Sequence, residues 1–64
     1  MKKILIIEDD IVFGRSIGNW LKKQGMECRH VTALAPAKKS LASEEFDLVL
    51  ADLRLPDGNS TELL

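Results

Sequence analysis

Apolar positions along the chain follow two different periods, and the switches between them mark out its elements. From Ile4 to Ile7 the apolar residues run without a break, inside a predicted strand from Lys3 to Ile7. The run is short, β-branched and non-alternating, so it predicts a strand buried on both faces, as in a parallel sheet covered by helices. Over residues 11 to 24 the period becomes helical. Val12, Phe13, Ile17, Trp20 and Leu21 recur at that spacing, Lys22 and Lys23 lie near the end, and Gly25 stands as a cap. Phe13 and Trp20 are expected in the core, since aromatic side chains dominate core burial. Gly14 and Gly18 lie inside this helix, where each costs about 1 kcal/mol relative to Ala. Close approach of the helix to the sheet would offset that cost.

Met26 to Thr32 alternates loosely and predicts a second strand, at an edge. A second helix is expected from Ala35 to Ser43, with Pro36 in its first turn, where a missing N–H matters least. Residues 46 to 52, "FDLVLAD", repeat the opening pattern of an apolar run ended by a carboxylate. "LPDGN" is turn chemistry. "NSTE", residues 59 to 62, predicts a helix N-cap with Glu62 placed for a capping box, and the third helix is barely entered at Leu64. Strand, helix, strand, helix, strand and helix start follow in order. That alternation predicts an α/β fold with a parallel sheet, right-handed crossovers and strand order 2-1-3.

Composition narrows the choices only a little. The chain has 64 residues, enough for one small domain with no internal boundary. A formal net charge of -1 gives no electrostatic reason to expect nucleic acid on this segment. The apolar run before Glu8 is too short for a signal peptide or a membrane span, so no membrane contact is expected. Cys28 is the only cysteine and cannot form an internal disulfide, which makes the reducing cytoplasm the expected compartment. It is expected to pack as a small hydrophobe. His30, the only histidine, is expected at the surface of the edge strand. Lys38 and Lys39 read as a solvated helix face.

The carboxylates raise the chemical question. Ligands of open parallel sheets bind beyond the carboxyl ends of the strands. Glu8 and Asp9 follow the first strand and Asp52 follows the third. If those strands are neighbours, about 4.8 Å apart, the three acids converge. Like charges at ~4 Å repel by roughly 4 kcal/mol at an effective dielectric of 20. A hard divalent cation would offset this, and Mg²⁺ favours a few carboxylates plus waters. The bland alternative is a solvated turn, with Asp9 or Asp10 capping the first helix and Asp52 a strand-end turn residue.

"ILIIEDD" followed by "DLVLADLRLPDG" resembles the receiver domain of two-component response regulators. The resemblance implies a flavodoxin-like, doubly wound parallel sheet. It implies that Glu8 and Asp9 bind Mg²⁺ and that Asp52 contacts the metal and accepts a phosphoryl group from a sensor histidine kinase. It also implies that Arg54 gives its backbone carbonyl to the metal. Asp10 is not a direct ligand on this pattern, and Pro56 and Gly58 match the loop that follows. The wording "DLRLPDG" resembles receivers of the nitrogen-regulator type, whose full proteins activate transcription. Ser60 departs from the pattern, standing where the loop usually has glycine. The resemblance spans the chain but only about half the family's domain, so the chain is expected to be an N-terminal half. The family's hydroxyl residue after the fourth strand, its lysine after the fifth and its switch aromatic have no counterpart here. Leu48 to Ala51 would then form an apolar edge, expected to pair with a second copy or with the missing half of the domain.

Two rivals stand beside this reading. An aspartyl-phosphate phosphatase of the haloacid-dehalogenase type also places a nucleophilic aspartate after a strand. It wants a second aspartate two residues on, where this chain has Arg54. The other rival is a truncated receiver that acts as a binding module without phosphotransfer.

Overall fold

A five-residue strand, β1 (Lys3–Ile7), is the middle of a three-stranded sheet in the computed structural model, which describes residues 1–63. Its neighbours are β2 (Glu27–Val31) and β3 (Leu48–Ala51), both parallel to it, giving the order 2-1-3. The register pairs Ile4 with Cys28 and Leu48, and Ile7 with Val31 and Ala51. Helix α1 (Ile11–Lys23) connects β1 to β2, and α2 (Leu34–Ser43) connects β2 to β3. A short hairpin follows, β4 (Arg54–Leu55) and β5 (Gly58–Asn59), then a 3-10 helix over Ser60–Leu63.

The uninterrupted "ILII" run is explained by the two helices. Side chains alternate along a strand, so residues two apart share a face. Leu5 and Ile7 point into a core with Leu34, Ala37 and Leu55, on the side of α2. Ile4 and Ile6 point into a second core with Leu21 on the side of α1, where Cys28 packs as a small apolar group. All four residues of the run are buried, and Leu5 and Ile7 have no exposed surface.

Helix α1 ends as its residues dictate. Gly25 has a φ of 86°, open to glycine at no steric cost. Its N–H donates to Lys22 O at 3.0 Å, and that of Met26 donates to Leu21 O at 3.1 Å, which closes a Schellman motif. The face turned to the sheet carries Gly14, Ile17, Gly18 and Leu21. At Gly14 close approach is obligatory, because a Cβ there would fall on the His30 ring. At Gly18 a Cβ would meet Ile6 Cδ1 at 3.6 Å, an ordinary contact.

Several expectations are corrected. Phe13 and Trp20 are not core residues: they are 56% and 61% exposed. Both lie on the flank of α1 beside its sheet-facing stripe, which the small residues occupy. His30 is not a surface residue of the edge strand. It is partly buried, and its Nε2 lies 2.8 Å from the Glu8 carbonyl oxygen. "LPDGN" forms a hairpin, with Pro56 and Asp57 as its two-residue loop. The expected capping box is present: Asn59 Oδ1 accepts from Thr61 N–H at 2.9 Å, and Glu62 Oε2 accepts from Asn59 N–H at 3.2 Å. The turn that it opens is 3-10 as far as Leu63, and Leu64 lies outside the described residues.

The amino end of the sheet is tied by charge. Lys3 Nζ and Arg29 Nε pair with Glu44 at 2.6 and 2.7 Å, and Lys3 Nζ lies 5.4 Å from the centre of the Phe46 ring. The Lys3 backbone N–H donates to Asp47 Oδ2 at 2.7 Å. The acidic residues of interest are at the other end of the strands.

Candidate functional site

Backbone ladders carry two of the acids just past neighbouring strand ends. Glu8 N–H donates to Val31 O at 3.0 Å, and Asp52 N–H donates to Ile7 O at 3.0 Å. Both residues therefore continue the sheet's hydrogen bonding by one step beyond its last pairs. Side-chain oxygens of Glu8, Asp9 and Asp52 lie within 4.8 Å of one another. Glu8 is half-buried, while Asp9 and Asp52 are exposed. The ion pairs among the described residues involve Glu44 and Glu62, and none reaches these three carboxylates.

Asp10 belongs to the helix instead. Its Oδ1 accepts Phe13 N–H at 3.0 Å as the N-cap of α1, and its own N–H donates to Glu8 Oε1 at 3.1 Å. The capping alternative thus applies to Asp10, and it orients Glu8 at the same time. Arg54 is exposed in β4. Ser60 N–H donates to Leu53 O at 3.0 Å, so Arg54 and Asn59 are a non-hydrogen-bonded pair and the hairpin leaves the Arg54 carbonyl unused.

The donor set is chemically suited to a hard divalent cation. It consists of oxygen ligands only, it is partly solvent-exposed, and no side-chain cation among the described residues competes for it. Beside it, Phe13 and Ile17 of α1 and Leu50 of β3 line an open groove that reaches Glu8 and Asp52.

Comparison with known proteins gives this arrangement a family. The family model of the response regulator receiver domain matches residues 4–64. This chain belongs to that family. The receiver is 39% identical over 61 residues to the swarming motility regulation protein RssB of Serratia marcescens, covering 95% of this chain and 28% of RssB. It is 36% identical over 62 residues to the transcriptional regulatory protein QseB of Escherichia coli O157:H7, covering 97% of this chain and 28% of QseB. The response regulator MaeR, solved bound to beryllium trifluoride, superposes with a TM-score of 0.86 at 42% identity, covering 97% of this chain and 52% of MaeR. The chain thus spans less than a third of the length of these two curated relatives. Receiver domains are phosphoacceptor modules of two-component systems rather than enzymes. No helix among the described residues is long and apolar enough to cross a membrane.

Two residues of the receiver escaped the sequence reading. One is His30, described above. The other is Asp57 at the hairpin tip, whose Oδ1 and Oδ2 accept the N–H groups of Leu34 and Ala35 at 2.7 and 2.9 Å. These are orphan donors of the first turn of α2, whose N-cap Ala33 offers no side-chain acceptor. The Ala35 N–H, and then the Leu34 N–H, hold the Asp57 carboxyl below the ordinary aspartate range. Neither residue has a local signal, because each bonds to a partner more than twenty positions away.

Proposed function

We propose that Asp52 accepts a phosphoryl group from a phosphohistidine of a sensor histidine kinase, with Mg²⁺ held by Glu8, Asp9, Asp52 and the Arg54 carbonyl. The observation that carries this reading is the meeting of three carboxylates, uncompensated by any side-chain cation of the described residues, at adjacent strand ends. In the transfer, an Asp52 carboxylate oxygen forms the new P–O bond. The P–N bond to the donor imidazole breaks, and its electron pair leaves with the imidazole nitrogen. Magnesium, when bound, supplies charge neutralisation at the transferring phosphoryl oxygens. The chain's own part is positional: the Asp52 N–H bond to Ile7 O anchors the acceptor at the sheet end, and exposure of Asp52 leaves it open to the donor.

The test is phosphorylation of a complete receiver protein that carries residues 1–64, with phosphoramidate and Mg²⁺, followed by borohydride trapping; the 64 residues alone should react poorly. Label is expected on Asp52, lost in Asp52→Asn and dependent on the divalent cation. Label that persists in Asp52→Asn would overturn the assignment. No label at all would favour a binding module instead.

Residues 1–64 serve, on this reading, as the N-terminal half of a receiver domain in a cytoplasmic protein with a transcriptional output. The description of QseB as a transcriptional regulatory protein supports that output, and the single cysteine supports the compartment. The β3 edge is the assembly surface for the other half of the domain or for a second copy. Leu48, Val49 and Leu50 are 50%, 38% and 36% exposed on a strand with one neighbour, which supports this reading. Sedimentation of the 64-residue chain across a concentration series tests it. Mass should rise with concentration, and a cooperative, concentration-independent monomer would count against it.

A further inference from the structure

We infer that His30 is a positioning residue for the acidic site, acting through the Glu8 backbone. The inference rests on the metal reading of Glu8, Asp9 and Asp52. In a continued parallel ladder, the Glu8 carbonyl would accept the backbone N–H of Ala33, two residues beyond Val31. The strand β2 instead ends at Val31, and Ala33 becomes the N-cap of α2. The His30 ring takes over that acceptor, with Nε2 2.8 Å from Glu8 O. A carbonyl only accepts, so Nε2 carries the hydrogen.

Glu8 is then held on both sides of its peptide backbone by β2: its N–H by Val31 O and its carbonyl by His30. That carbonyl belongs to the peptide unit leading into Asp9. Fixing it sets the direction in which the chain leaves β1, and with it the approach of Asp9 to Asp52. Gly14 completes the device. The ring lies where a Cβ at position 14 would stand, so only glycine lets α1 close over the imidazole. A glycine in the first turns of a helix is otherwise unfavourable, and this contact accounts for it. The arrangement parallels metal sites in which a hydrogen-bonded outer group orients a ligand.

The test uses the full chain and Mg²⁺ alone, with affinity read from backbone amide shifts. Thermal unfolding without Mg²⁺ runs alongside as a stability control. His30→Leu keeps bulk and removes the donor, and it should weaken Mg²⁺ binding about tenfold. His30→Gln carries an N–H₂ group the same number of bonds from Cβ and should restore most of the affinity. Gly14→Ala keeps the imidazole but displaces it. It should weaken binding in the parent and have no further effect in a His30→Ala background. Long-range proton–nitrogen spectra should find the ring protonated at Nε2. If the parent binds no Mg²⁺, the metal reading fails and takes this inference with it. If the parent binds and His30→Leu binds equally well, the inference alone fails. Equal losses in His30→Leu and His30→Gln, or a ring with no hydrogen on Nε2, also overturn it. Should His30→Leu not fold, unchanged affinity in Gly14→Ala decides against it.

Discussion

Asp57 closes onto Leu34 across 23 positions of sequence, its Oδ1 accepting that residue's N–H at 2.7 Å. The bond joins the hairpin after the proposed phosphoacceptor to the start of α2. Because Ala33 cannot cap the helix itself, the hairpin tip does so from outside. Replacing Asp57 with Ala should therefore lower Tm and expose two amides of the first turn of α2. Hydrogen exchange at Leu34 and Ala35 is the direct measurement. Protection at those two amides equal to that in the parent would mean that the cap contributes nothing.

Acid should destabilise the fold through two carboxyls. Hydrogen bonding to Lys3, with Arg29 adding to it, holds Glu44 below its ordinary value of 4.5, and the α2 amides hold Asp57 below 3.8. Both folded-state values lie below the unfolded ones, so the unfolded chain binds more protons in between. The stabilisation is full above the unfolded values and is lost as pH falls through the folded ones. Tm should drop as pH is lowered from about 5 toward 2. Glu44→Gln and Asp57→Asn should each flatten that decline, and a slope identical to the parent's in both would contradict this linkage.

The double burial of β1 makes it the most sensitive element. Leu5→Ala removes a side chain with no exposed surface and should cost about 2–5 kcal/mol in denaturant unfolding. Val12→Ala, at a position 76% exposed, should stay within about 0.5 kcal/mol.

The acidic cluster predicts a sign reversal. Without divalent ions, Asp9→Asn should raise stability by relieving repulsion among Glu8, Asp9 and Asp52. With Mg²⁺ the order should invert. Beyond its dissociation constant, each tenfold rise in Mg²⁺ adds about 1.4 kcal/mol to the parent, and the variant should gain less. Parallel Mg²⁺ curves for the two proteins would remove Asp9 from the site.

Much of this architecture is written in local pattern. The apolar run of β1, the helical spacing of α1 and the carboxylates that follow β1 and β3 announce the sheet and the meeting of Glu8 with Asp52. Gly25 and "NSTE" announce their caps because capping chemistry is local. What escaped was decided by tertiary packing. Phe13 and Trp20 carry the right period for burial, yet glycines take the place nearest the sheet and leave the aromatic rings on the flank. His30 and Asp57 make long-range bonds from side chain to backbone, which leave no periodic trace.

The central place of β1 also bears on the order of folding. Its two ladders join Ile4 to Cys28 and to Leu48, so the second pairing closes a much longer loop. The difference in closure entropy is about 0.5 kcal/mol, and α1 folds within the shorter loop. The β1–α1–β2 unit is therefore the natural nucleus, with β3 docking afterwards. Apolar truncations at Ile17 and Leu21 should slow folding, whereas those at Leu48 and Leu50 should mainly hasten unfolding. The strand that leads to the proposed phosphoacceptor should thus be the last to join and the first to leave.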